Sequence, residues 1–268
     1  VPGKAMVVVL RTGLIRSQRV DTAVAAVSVF LETLTQMAVG AAVAATSGMV
    51  RYLGTAAAEV VSHYPEVIVA SDPNDAGRVQ GWVIGPGFGT DADSKASLAE
   101  VLRSDLPVVL DADALTVIAS APELVSGRAA PTLLTPHAGE FERLTGHATG
   151  PDRVEAVRAL ASQWGVTVLL KGRATVIADR NGRVLVNDAG GSAASTAGSG
   201  DVLAGILGAL LASGLDPMIA AACGARVHAL AAATAAYGAG GEFAAPISAG
   251  PLLASVRDAI RIVRSVTQ

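Results

Sequence analysis

Ser195-Thr-Ala-Gly-Ser-Gly-Asp-Val-Leu-Ala-Gly205 sets a glycine-rich turn, one carboxylate and the start of an apolar helical stretch within a few residues of each other. Small residues at a helix N-terminus leave backbone amides open to an anion, so a phosphate is expected against Gly198, Ser199 and Gly200. Asp201 then needs an explanation. A carboxylate beside a phosphate is repelled by it, and the placement makes chemical sense if Asp201 takes a proton from a hydroxyl that attacks or receives that phosphate. The plainer reading makes Asp201 the cap of the helix that follows, a common role for Asp. On these residues alone both readings stand.

Other glycine motifs are incomplete. Gly85-Pro-Gly-Phe-Gly89 is followed by Thr90 where the dinucleotide fingerprint needs its third glycine, and no G-x-x-x-x-G-K-[ST] occurs. Ser199 has Ala197 two residues before it, where the serine-hydrolase elbow needs glycine. At 268 residues, with no fixed-period repeat and no Pro/Ser-rich linker, the chain is expected to form a single domain over 1–268 with a sizeable core. Hydrophobic residues make up 51% but aromatics only 3%, so the apolar content is largely Ala and Val, which favours closely packed helices on a sheet.

The net charge of −3 argues against a nucleic-acid partner, which calls for a basic face. The longest weakly polar stretches, Met37 to Val50 and Val202 to Leu215, fall short of the roughly 20 residues of a membrane helix. Arg11, Arg16, Arg19 and Asp21 break up the N-terminus, so no signal peptide stands out, and a cytoplasmic protein with no membrane partner is expected. Cys223 is the sole cysteine; it can form no disulfide within the chain and reads as a small core residue.

Short apolar runs recur between longer helical patterns: Gln80 to Ile84, Pro107 to Leu110, Thr132 to Leu134 and Val166 to Leu170. Continuously apolar strands separated by helices predict an α/β fold with a largely parallel sheet covered on both faces. Each run leads at once into polar or glycine residues: Gly85 to Gly89, Asp111-Ala-Asp113, Thr135 to Glu140 and Lys171 to Thr175. Ligands of open α/β sheets sit beyond the carboxyl ends of the strands, so the site is expected to be assembled from several strand ends. Ala174 to Ala178 and Arg183 to Val186 flank Asp179-Arg-Asn-Gly182 as an antiparallel hairpin. Helices are predicted at about Val154 to Trp164, Val202 to Ser213, Pro217 to Tyr237 and Pro251 to Val266, the last with Leu252, Leu253, Val256, Ile260 and Val263 at helical spacing.

Taken in order, a GAA-type helix near Gly40 to Val50, VIGPGFG, VVLDADAL, LLTPHAGEF, VLLKGRATVI and TAGSGDVLAGILGALLASG resemble the ribokinase-like superfamily. Within it the chain is most similar to the bacterial ADP-dependent NAD(P)H-hydrate dehydratases. The resemblance implies a three-layer α/β/α sandwich around a mostly parallel sheet. It also implies a lyase that dehydrates the S-epimer of hydrated NADH or NADPH at the expense of ADP, releasing AMP and phosphate. By the same resemblance Lys171, Gly172, Arg173, Ala174 and Thr175 form the loop that holds the AMP part of ADP, and Gly200 makes a second contact. Asp201 stands beside the substrate hydroxyl, and Gly87 and His137 touch the hydrate. Taken alone, His137 reads as a helix-capping or core histidine and Lys171 as a solvated strand-end charge.

Sugar and vitamin kinases of the superfamily tend to carry N-x-x-E near the magnesium and phosphate site, whereas this chain reads His137-Ala-Gly-Glu140. Glu140 is still expected to serve Mg2+, through water because that ion sheds its hydration reluctantly. Asp111 and Asp113 are further candidates, although each can equally cap a helix. His63, His147 and His228 form no metal-ligand spacing. Residues 1–39 show none of the family's opening in recognisable order, and no site residue is carried over there. The epimerase domain often fused ahead of this one is missing from the chain, so a functional link to a separate NAD(P)H-hydrate epimerase is expected, as is a homo-oligomer. The alternatives are an ATP-dependent small-molecule kinase of the same fold, phosphorylating a vitamin or sugar alcohol, and a nucleotide-binding protein without turnover.

Overall fold

The apolar triplets pair as the alternation of buried side chains requires. In a computed structural model describing residues 49–188, 191–238 and 241–265, strands β3 (Trp82–Ile84), β4 (Val108–Leu110), β5 (Thr132–Leu134) and β6 (Thr167–Leu170) run parallel and adjacent in chain order. The hairpin β7 (Ala174–Ala178) and β8 (Val184–Asp188) continues the sheet antiparallel, giving six strands in the order 3-4-5-6-7-8. A separate two-stranded parallel sheet, β1 (Arg51–Tyr52) with β2 (Ile68–Val69), encloses a small cluster of Val50, Val60 and Val67 with helix α1 (Ala57–His63). Residues 1–39, and all but the last two of the Gly40 to Val50 stretch, lie outside the described residues.

Successive strand residues point to opposite faces, and the two faces meet different helices. Leu110, Leu134, Val168, Leu170 and Val176 pack with α2 (Ala92–Leu102), α3 (Ala112–Ala119), α4 (Ala138–Thr145) and α5 (Arg153–Trp164). Val109, Leu133, Leu169 and Ile177 face the other way, against α6 (Ser199–Ala212) and α7 (Pro217–Tyr237). Three layers, helix on sheet on helix, result. Helices α8 (Ala249–Ala254) and α9 (Val256–Ser265) pack on α7 and α6 through Leu252, Val256 and Ala259.

Several expectations need correction. The helix predicted from Val202 begins at Ser199, with Gly198 as its N-cap, so Asp201 lies inside the first turn and is not the cap. The stretch from Pro251 is two helices that meet at Ser255; of its predicted stripe, Leu252 and Val256 are buried, while Leu253, Ile260 and Val263 are only partly so. Cys223 is exposed on α7 instead of buried, although its neighbours Gly224 and Ala225 are core. Helix α7 is itself long and apolar enough to cross a membrane by length and composition, which an inventory ending at Leu215 missed. Half of its most apolar window is buried inside this fold, where it packs along α6 and the sheet.

Candidate active site

Three parallel strands that start and stop level, and a fourth, β6, that runs two residues further, deliver four chain segments to one edge of the sheet. Ile84 lies beside Leu110 and Leu110 beside Leu134, so Gly85, Asp111 and Thr135 emerge together, and Lys171 follows Leu170 of β6. Their backbones are then laced: Asp111 N–H donates to Ile84 O at 3.0 Å, Thr135 N–H to Leu110 O at 3.1 Å and Lys171 N–H to Pro136 O at 2.8 Å. Gly85 is obligatory here, because at φ 140° a Cβ would stand 1.7 Å from Asp111 O.

Lys171 is the electrostatic centre of this edge. Its Nζ lies 2.7 Å from Asp111 Oδ1 and 3.6 Å from Glu140 Oε2, and both carboxylates are nearly inaccessible. Burial by itself pushes the ammonium down, but the charges of Asp111, Glu140 and Asp201 together with the Asp111 hydrogen bond outweigh it and hold Lys171 above the ordinary lysine value. Helix α6 comes in directly against this pair, since a Cβ on Gly200 would lie 3.6 Å from Lys171 Nζ and 3.9 Å from Asp111 Oδ2. Asp111 precedes α3 without capping it; its carboxylate reaches Lys171 instead. Ala112, the next residue, has φ 46°, a strained value outside glycine that the surrounding contacts must impose.

His137 and Glu140 form a reciprocal capping box at the start of α4. Gly139 N–H and Glu140 N–H donate to His137 Nδ1 at 3.0 and 3.1 Å, while His137 N–H donates to Glu140 Oε2 at 2.7 Å. Both Nδ1 partners are donors, so in the neutral ring the proton is on Nε2. Nδ1 thus serves as the cap of α4, while the half-exposed ring places Nε2 3.5 Å from Glu140 Oε1.

The N-terminal turn of α6 follows Gly198, whose φ of 81° is left-handed and whose missing Cβ would stand 3.1 Å from Ala249 Cβ. Ser199 is already engaged: its N–H donates to Thr196 O at 3.2 Å and its Oγ to Ala194 O at 2.5 Å. Gly200 follows in the first turn, where helix geometry leaves backbone N–H groups without an intrahelical partner. Asp201 is buried, on the same turn.

The structure thus brings Asp201, Gly200, Lys171, Glu140 and His137 to one edge. Gly87 lies in the adjoining loop after β3, which Gly89 N–H ties to Asp113 Oδ2 at 2.9 Å. Asp113 therefore anchors a loop and caps nothing. Gly172 to Thr175 leave the cluster and enter β7, and Arg173 pairs with Asp188 of β8 at 3.9 Å. Two contributors carry no sequence signal. Arg153 at the start of α5 donates to Ala174 O at 3.0 Å and Lys171 O at 3.4 Å, clamping the Lys171 to Ala174 loop, and His228 of α7 contacts Ser199 O. Among the described residues no group of three His, Cys, Asp or Glu side chains could hold a metal.

The family model for NAD(P)H-hydrate dehydratase matches residues 35–246, most of the chain and every segment of this edge. The chain belongs to the NAD(P)H-hydrate dehydratase family. It is 56% identical over 222 residues to the bifunctional NAD(P)H-hydrate repair enzyme Nnr of Mycobacterium leprae, covering 82% of this chain and 46% of that protein. The chain therefore spans less than half the length of that bifunctional relative. It is 37% identical over 215 residues to the ADP-dependent (S)-NAD(P)H-hydrate dehydratase of Neisseria meningitidis, covering 77% of this chain and 71% of that one. The ADP/ATP-dependent NAD(P)H-hydrate dehydratase of Bacillus subtilis superposes with a TM-score of 0.73 at 24% identity over 86% of this chain and 87% of that one, a likeness of fold. The fold of this chain is ribokinase-like, as the resemblance of its motifs implied, with the largely parallel sheet that its strand runs predicted.

Proposed function

We propose that this protein dehydrates the S-epimer of hydrated NADH and NADPH, using ADP and releasing AMP and phosphate. The observation that carries the reading is the convergence of a buried carboxylate, Asp201, with the Gly200 amide and the Lys171 ammonium at the start of α6. The name of the Neisseria relative, an ADP-dependent (S)-dehydratase, supports the nucleotide and the epimer. Asp201 takes the proton of the C6 hydroxyl as its oxygen attacks the β-phosphorus of ADP, and the bond to AMP breaks. First-turn amides of α6 stabilise charge on the transferring group. The C6–O bond then breaks with phosphate leaving, C5 loses a proton, and the C5=C6 double bond of the dihydropyridine is restored.

Gly172 to Thr175, held by Arg153, are assigned to the AMP part, and Gly87 and the Nε2 edge of His137 to the hydrate. Lys171 belongs to the same loop through its backbone, while its ammonium serves the carboxylates. Mg2+ fits this donor set only partly: Glu140 Oε2 is engaged with His137 N–H and faces Lys171, so Glu140 would hold the ion through water, with the substrate's phosphates as the main ligands. When bound, the ion would neutralise phosphate charge. The word bifunctional in the mycobacterial relative's name supports a partnership with an epimerase activity.

Incubation with hydrated NADH and ADP tests the reading. Absorbance in the reduced-nicotinamide band should return, with AMP and phosphate formed in equal amounts. A stable phosphorylated alcohol as product would make the protein a kinase, and repair with ATP but not with ADP would overturn the ADP assignment.

A further inference from the structure

His228 is buried in α7, far in sequence from the strand ends, and the proposed chemistry does not use it. Its Nε2 lies 2.8 Å from the carbonyl oxygen of Ser199, in the first turn of α6. A carbonyl only accepts, so the ring carries its proton on Nε2 and donates. The Ser199 C=O and the Gly200 N–H are two ends of one planar peptide unit and point in opposite directions. Whatever grips the carbonyl therefore aims the amide.

We propose that His228 is a positioning residue for phosphoryl transfer: by donating to Ser199 O it fixes the tilt of the Ser199–Gly200 peptide and polarises the Gly200 N–H toward the phosphate. This rests on the assignment of the transferring phosphate to the α6 N-terminus. Gly198 and Gly200 on either side of Ser199 contribute no side chain to hold this peptide. Ser199 is pinned on its other sides by Thr196 O and Ala194 O, so the His228 bond completes a three-point fixing of one residue. Hydrogen bonds in series strengthen one another, and donation to a carbonyl makes the amide of the same peptide a better donor. The distance is set by close packing one turn earlier on α7, where a Cβ on Gly224 would meet Leu207 Cδ2 of α6 at 2.5 Å. Burial holds the imidazole below its ordinary value; the Ser199 bond opposes that and the charge of Lys171 adds to it. The neutral form of the ring is therefore favoured, in which it offers a dipole and no charge.

Two variants and two readouts test this. His228→Leu removes the donor and keeps bulk, while His228→Gln keeps an N–H at a similar reach. With saturating ADP and hydrate, kcat of His228→Leu should fall about tenfold, less than the loss for deleting such a donor outright, with ADP affinity changed little, and His228→Gln should recover most of it. In the ligand-free protein the Gly200 amide proton resonance should shift toward that of a weaker donor in His228→Leu and return in His228→Gln. This second readout does not depend on turnover. If the wild-type Gly200 resonance ignores added ADP, the phosphate assignment fails while the His228 contact is still read from the ligand-free spectra. Unchanged kcat with an unshifted Gly200 resonance in His228→Leu would overturn the proposal. So would a kcat loss that His228→Gln does not repair, because the residue would then be a satisfied core histidine.

Discussion

The ammonium of Lys171 sits between carboxylates that would otherwise repel one another, so removing it leaves Asp111 and Glu140 buried and uncompensated. Lys171→Met is expected to destabilise the protein by about 3–5 kcal/mol, and adding Asp111→Asn should recover part of the loss, as urea midpoints of the three proteins would show. The Lys171 value is raised on folding, so this stabilisation is present below the ordinary lysine range and lost as pH rises through the raised value. Asp201 answers to a different measurement. Asp201→Asn keeps shape and hydrogen bonding but loses the basic lone pair, so kcat should fall by about 10² or more with ADP affinity retained. A variant that turns over normally would remove Asp201 from the chemistry.

At the level of elements, two turns set where the chain stops and starts. Helix α6 can begin at Ser199 only because Gly198 adopts a left-handed φ of 81°. Gly198→Ala should cost about 1–2 kcal/mol in the denaturant midpoint and weaken ADP binding, because the strained start shifts the Gly200 amide with it. The β7–β8 hairpin is closed by Asp179, whose carboxylate accepts Asn181 N–H and Arg183 N–H and pairs with Arg183 Nε at 2.6 Å. Burial pushes Asp179 up, but these hydrogen bonds and the Arg183 charge prevail and hold it below the ordinary Asp value. A lowered folded-state value stabilises above the ordinary Asp range, and that contribution disappears as pH falls through the lowered value. The acid limb of a stability–pH curve should therefore flatten in Asp179→Asn, and an unchanged limb would show the turn to be irrelevant to acid unfolding.

Across the whole molecule, the proposed ADP site exists only when β3 to β6 and the α6 N-terminus are assembled, so the folded chain offers it and the unfolded one does not. At ADP a hundredfold above its dissociation constant, stability should rise by about 2.7 kcal/mol, which for a chain of this size is a melting shift of roughly 5–10 °C by calorimetry. No shift at that concentration would remove ADP as a ligand of this edge. Much of this arrangement was legible in the linear chain. Continuous apolar triplets with polar or glycine residues behind them announced parallel strands and the edge where they end, because a strand buried on both faces has no room for polar side chains until it leaves the sheet. The glycines after Ser195 announced the turn at the start of α6, because the backbone demands of such a turn are local. The partner of Lys171 was not legible: Asp111 is sixty residues away in sequence, and only the parallel pairing of β4, β5 and β6, with β6 running two residues past the others, brings the two side chains to 2.7 Å. Arg153 and His228 are of the same kind, polar residues on amphipathic or Ala-rich helices whose spacing within their own helix says nothing of what they reach. Local conformation follows from local residue chemistry, so the sequence by itself determined the strands of the six-stranded sheet, their turns and the chemistry-bearing groups, but not β1 and β2. Which of those groups touch is set by helix packing across the sheet, and only the tertiary structure decided that.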